Sequence, residues 1–198
     1  MVENWFPTPI YYNDIDNVKC IAAKEEIINA YNTLENLNIL TNYSGTSSLS
    51  YSTEIRDVID HFKMTNTKKL VLSECSSYIN SIGISFNEIE IIDNWVIGYK
   101  GNQFQGEHDH GYVNNYISGI FYAETAPGSS PIIFTHPNPY KKHITITNSN
   151  PQFAESTVYE VTENRVLIFP SYLRHSVPSS SKLDGRRLAL VFNARIKI

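Results

Sequence analysis

From position 89 onward the chain reads IEIIDNWVIGY (89–99), YISGIFYAE (116–124), PIIFTH (131–136), HITIT (143–147), STVYEV (156–161), RVLIFP (165–170) and RLALVFNARIKI (187–198). Each run is short, rich in β-branched and aromatic residues, and closed by Gly, Pro, Asn or Ser, a composition that suits a pleated strand better than a helix. No helical pattern intervenes between the runs, which argues against a parallel α/β sheet. Seven or so such strands predict a sandwich, jelly roll or barrel.

Toward the N-terminus the pattern changes. Over Val18 to Leu37, the residues Ile21, Ala22, Ile27, Ile28, Tyr31 and Leu34 recur at three- and four-residue steps, the signature of a helix with one apolar face, and Asp14 or Asp16 can cap it. A Ser- and Thr-rich stretch, Thr41 to Thr53, reads as a surface loop, and Glu54 to Phe62 and Thr67 to Ile82 as two shorter helices. The expected fold is therefore mainly β with N-terminal helices: residues 1–85 form a helical extension packed on a β-rich core over 86–198, all within one domain.

Bulk properties narrow the function. The chain has 198 residues, and sixteen Lys and Arg against twenty Asp and Glu give a formal net charge of −4, which supplies no broad attraction to phosphate backbones and points away from a nucleic-acid partner. Cys20 and Cys75 are too few for a disulfide framework and have no C-x-x-C spacing. The segment Met1 to Asn13 lacks a basic region followed by an apolar run, and no stretch approaches the ~20 apolar residues that span a bilayer. A soluble, cytoplasmic protein without a membrane partner is expected.

Six histidines occur, at 61, 108, 110, 136, 143 and 175. In an extended segment the side chains at i and i+2 share a face, so His108 and His110 can point at one metal while Asp109 points away. A third ligand must come from elsewhere, and His175, after the strand ending in Pro170, is the natural source. Arg187 opens the last strand, where a guanidinium can pair bidentately with a carboxylate. Alone, an H-x-H is more often surface or hydrogen-bonded than metal-bound, and a lone Arg is by default solvated. His61 reads as structural, while His136 and His143 flank a Pro- and Asn-rich loop at the surface or at a substrate entrance.

Taken together, NWVIGYKGNQFQGEHDH, SGIFYAE, PIIF, VLIFPSYLRHSV and RRLALVFN resemble, in order and spacing, the 2-oxoglutarate- and iron(II)-dependent oxygenases of prolyl-hydroxylase type, and within them a subfamily from marine bacteria and phages. The resemblance covers about Trp95 to Asn193. It implies a double-stranded β-helix (jelly roll, cupin-like), Fe(II) and 2-oxoglutarate with O2, and hydroxylation of a peptidyl or small-molecule substrate. It assigns His108, His110 and His175 to the metal, Arg187 and Tyr122 to the far carboxylate of 2-oxoglutarate, and Tyr99 and Ser118 to the same pocket.

The family usually has a carboxylate where His110 stands, so either His110 is a ligand or a kinked strand turns Asp109 inward instead. Ala189 stands where relatives often carry Ser or Thr. Competing readings are a cupin-type three-histidine enzyme without a keto acid, a zinc hydrolase, and a non-catalytic jelly-roll binding module.

Overall fold

The computed structural model of the chain describes residues 8–42, 48–49, 55, 57–111, 116–138 and 154–198. Two antiparallel sheets carry the architecture. The larger runs β1 (Tyr11–Asp14), β9 (Arg165–Pro170), β6 (Ile117–Glu124), β11 (Arg186–Lys197), β4 (Glu88–Lys100), β3 (Ser48–Leu49), β2 (Thr41–Asn42). The smaller runs β5 (Gln105–His108), β10 (His175–Val177), β7 (Ile132–Thr135), β8 (Ser156–Tyr159). Three helices precede β4: α1 (Asn17–Asn36), α2 (Val58–His61) and α3 (Thr65–Ser81). The expected mainly-β jelly roll with N-terminal helices holds.

Strand parity explains why the central strands read as unbroken apolar runs. On β11, Leu188, Leu190, Phe192 and Ala194 join the core shared with the helices, while Ala189 and Val191 join the core between the sheets. On β9, Val166 and Ile168 face the helices, and Leu167 and Phe169 face the smaller sheet. A strand covered on both faces has no polar side to show, even when its partners are antiparallel. The helices lie close: a Cβ on Gly98 of β4 would sit 2.4 Å from the Tyr31 hydroxyl of α1, so no larger residue fits beneath that helix.

Asp16 caps α1 by accepting from Val18 N. The first turn of α3 has no cap from its own N-cap residue, Met64. Glu26 of α1 does that work from outside, its carboxylate accepting from the backbone N–H groups of Asn66 and Thr67 and from both their side chains.

Some elements depart from the sequence reading. Tyr11–Asp14 forms an edge strand on β9, where no strand was expected, and Arg165 clamps it through both carboxylate oxygens of Asp14. Residues 41–42 and 48–49 extend the sheet within the expected loop, pairing with each other and with β4. The helix expected over 54–62 contracts to α2, because Asp57 turns its carboxylate onto Asp60 N and starts the helix there. HITIT (143–147) and His143 lie outside the described residues.

One irregularity positions the site. Between Asn193 and Ala194 the β11–β4 register jumps from Asp93 to Ile91, leaving Ile92 as the extra residue of a bulge. The bulge reverses parity: Ile89 and Ile91 pack on the helical side, whereas Asp93, Trp95, Ile97 and Tyr99 turn into a cavity between the sheets.

Candidate active site

That cavity, of about 310 Å³, is lined on one side by β4 and β11 and on the other by His108, His110, His175 and Val177. His108 ends β5 and His175 begins β10, and the two are Cα partners across the smaller sheet. Their ring centroids lie 4.3 Å apart, and His110 lies 5.2 Å from each. One nitrogen from each ring lies within 4.8 Å of the others, close enough to hold a metal ion.

β5 stops at His108; two residues on, His110 N donates to Ser171 O at 2.8 Å, and both histidines face the same cavity. Asp109 is exposed at the cavity, and its Oδ1 accepts from Gly111 N at 3.1 Å.

The protonation of the rings follows from their partners. His108 Nδ1 donates to Gly106 O at 2.8 Å and His175 Nδ1 to Leu173 O at 2.9 Å, because a carbonyl can only accept. The lone pair in both is therefore on Nε2. His110 Nδ1 donates to Asn193 Oδ1 at 2.9 Å, with Ser118 Oγ at 3.2 Å. Burial lowers His110 to a pKa of about 4 and His175 to about 3, the neighbouring histidines adding to the shift in each. Both are neutral imidazoles at physiological pH, the form that ligates metal.

At a second group of cavity residues, Arg187 is buried, 2% exposed, between the rings of Tyr99 and Tyr122, with its guanidinium carbon 4.8 and 5.1 Å from their centroids. It donates to Ser130 O and, at 3.4 Å, to the Tyr122 hydroxyl; its Nε has no partner. Among the described residues no carboxylate pairs with it. Burying a cation without an anion is costly, and the two aromatic faces offset only part of that cost. Burial pushes the Tyr99 phenol up to about 12 and raises Tyr122 as well, so both stay protonated and able to donate.

The sequence-predicted residues thus gather in two groups, the three histidines and Arg187 with Tyr99 and Tyr122; the histidines, Arg187 and Tyr99 line one cavity, and Tyr122 touches Arg187. Ala189 lines it as well. Ser118 lies behind His110, where its hydroxyl donates to Asn193 Oδ1 at 2.7 Å. His61 packs on Phe62 at the end of α2, and His136 Nδ1 accepts from Asn138 N. Sequence reasoning missed Asn193, which sits 83 positions from His110, and Trp95, whose ring is 5.6 Å from that histidine. Asn193 is fully buried, and its Nδ2 has no partner, a defect that costs roughly 1–3 kcal/mol.

Residues 93–193 match the profile of the family described as "Putative 2OG-Fe(II) oxygenase". The chain belongs to this family. Its members use Fe(II), 2-oxoglutarate and O2. Solved structures agree in fold. A Pseudomonas putida prolyl-4-hydroxylase aligns at 10% identity over 94% of this chain and 91% of its own, with a TM-score of 0.55. The non-haem α-ketoglutarate-dependent epimerase SnoN, from nogalamycin biosynthesis, aligns at 9% over 94% and 78%, with a TM-score of 0.64. HygX from Streptomyces hygroscopicus, solved with nickel and 2-oxoglutarate bound, aligns at 11% over 95% and 83%, with a TM-score of 0.57. One other oxygenase of known structure is matched over 56% of its own length. No curated protein sequence matches the chain.

The donor set of this oxygenase fits the family's cofactors. Three imidazoles offer nitrogen to Fe(II), and a buried guanidinium without a carboxylate partner suits a dicarboxylate. No helix among the described residues is long and apolar enough to cross a membrane.

Proposed function

We propose that this oxygenase hydroxylates a peptidyl or small-molecule substrate, with His108, His110 and His175 holding Fe(II) through Nε2 and Arg187 taking the far carboxylate of 2-oxoglutarate. The observation that carries the reading is one cavity bordered both by three imidazoles within 4.8 Å of one another and by a buried guanidinium lacking an anion. When bound, iron and 2-oxoglutarate would supply oxidising chemistry with O2, one oxygen atom ending in the succinate formed as the keto acid loses CO2 and the other in the hydroxylated substrate.

The chain's share is binding, orientation and exclusion of water. Arg187 presents two N–H groups along one edge, and the Tyr99 and Tyr122 rings on its faces keep that edge from swinging. The Tyr122 hydroxyl, already at the guanidinium, can share the same carboxylate. Three neutral ligands leave the +2 charge of the metal uncompensated, and the dianionic co-substrate balances it. Ile97, Ile120, Ile132 and Val191 give the cavity apolar walls that disfavour water. The prolyl-4-hydroxylase likeness supports a peptidyl substrate, although the epimerase shares the fold, so the fold alone does not select the reaction.

Anaerobic titration of the iron-loaded protein with 2-oxoglutarate tests the site: a weak visible charge-transfer band is expected. Iron-loaded protein that takes up no keto acid would favour a cupin-type enzyme, which has no use for a buried Arg187. Succinate release across a panel of peptides and small molecules then separates the substrate classes.

A further inference from the structure

His108 and His175 each secure their ring proton on a main-chain carbonyl two residues upstream, Gly106 and Leu173. No side-chain substitution elsewhere removes such an acceptor. His110 takes its acceptor from a side chain on another strand: the amide of Asn193 on β11, 2.9 Å away. We propose that Asn193 is a positioning residue for the metal, holding the His110 proton on Nδ1 so that the ligating lone pair stays on Nε2. The inference rests on His110 being a ligand.

Two further observations support it. The amide must present its oxygen rather than its nitrogen, and in the structure it does so to two neighbours: the Ser118 hydroxyl, 3.1 Å from Ser171 Oγ, donates to the same Oδ1 at 2.7 Å. Rotated by half a turn, the amide would donate to His110 Nδ1, leaving the ring proton on Nε2, where it blocks coordination. The orientation leaves Nδ2 buried without a partner. An apolar side chain would fill the place without that orphan, so packing alone does not explain an amide here.

The test uses Co(II) binding to the full chain, followed by its visible spectrum, together with the proton position on His110 in the metal-free protein. Asn193→Ala is expected to weaken Co(II) binding by about 10–100-fold, the usual effect of removing the acceptor behind a ligating histidine. Asn193→Asp keeps an acceptor oxygen and is expected to bind within about threefold of wild type or more tightly. Equal loss in both variants would mean the amide acts through packing, and would overturn the proposal. Long-range 15N–1H correlation on the metal-free wild type needs no variant to fold: a proton on His110 Nδ1 supports the proposal, and one on Nε2 overturns it. Wild-type protein that binds no Co(II) would sink the metal reading itself, whereas normal binding by Asn193→Ala would sink only the role of Asn193.

Discussion

His108 and His175 are partners across the β5–β10 pair, with ring centroids 4.3 Å apart, so a backbone register sets the spacing of two candidate ligands. His175→Ala removes one of the three donors that lie within 4.8 Å of one another. Iron or cobalt affinity is expected to fall by more than the roughly 100-fold seen when only an outer hydrogen-bond partner is lost. Metal analysis after equilibrium dialysis checks this, and unchanged occupancy would remove His175 from the site.

Arg187→Met keeps apolar bulk between Tyr99 and Tyr122 but removes the fork. Affinity for 2-oxoglutarate is expected to drop about 100-fold, since hydrogen bonds to charged groups contribute roughly 1.5–3 kcal/mol each. Metal binding should survive. In thermal melts, wild type gains about 2.7 kcal/mol at a 2-oxoglutarate concentration 100 times its Kd. The variant should gain only about 0.4 kcal/mol at that concentration, and without ligand it should melt no lower than wild type, because a buried cation lacking an anion has gone.

The metal-free protein should weaken in mild acid. His110 and His175 have folded pKa values of about 4 and 3, depressed by burial, against about 6.5 in the unfolded chain. Above pH ~6.5 both states are neutral and the two groups cost nothing. As the pH falls below that value the unfolded chain binds protons that the folded one refuses. Each histidine then removes about 1.4 kcal/mol per pH unit. The loss ends near pH 4 for His110 and near pH 3 for His175. Urea denaturation between pH 7 and 4.5 measures the slope, and His175→Ala should reduce it by about half.

Glu26→Ala should loosen α3 at its start. In the wild type, hydrogen bonds from Thr67 and Asn66 outweigh the burial that pushes the Glu26 carboxyl up and hold its pKa below the usual value. Removing a cap costs roughly 0.5–2 kcal/mol, and here it also removes the polar ties that Glu26 makes from α1 to Asn66 and Thr67 of α3. Hydrogen exchange at Asn66 and Thr67 should accelerate, with Glu26→Gln partly restoring protection.

Much of this molecule can be read from its letters, and the unread parts share one cause. RVLIFP and RLALVFN announce strands because both faces are covered and the residues between Arg165 and Pro170, and between Arg187 and Asn193, are all apolar. YYND at 11–14 carries no comparable run, and its strand exists only because β9 offers an open edge. The paired histidines and Arg187 stand out as residue types at telling spacings. Asn193 does not, because its role depends on a partner 83 positions away and on a bulge at Ile92 that no local pattern marks. Likewise, β5 ends at His108, and the Ser171 carbonyl that holds the His110 backbone lies 61 positions further on in the chain.

The alternation of β11 has a consequence for anyone who would trim or redesign the chain. Arg187 and Asn193 hang from the same ribbon whose opposite face, Leu188, Leu190 and Phe192, is pressed against the helices. The helices are the back wall of the site. Cutting them away would expose that wall to water, and the ribbon would be free to twist, carrying the co-substrate anchor and the acceptor behind His110 with it. Altered selectivity should therefore be sought at the cavity lining, Trp95, Gln105 and Val177, with residues 8–81 left in place as the mould that keeps β11 straight.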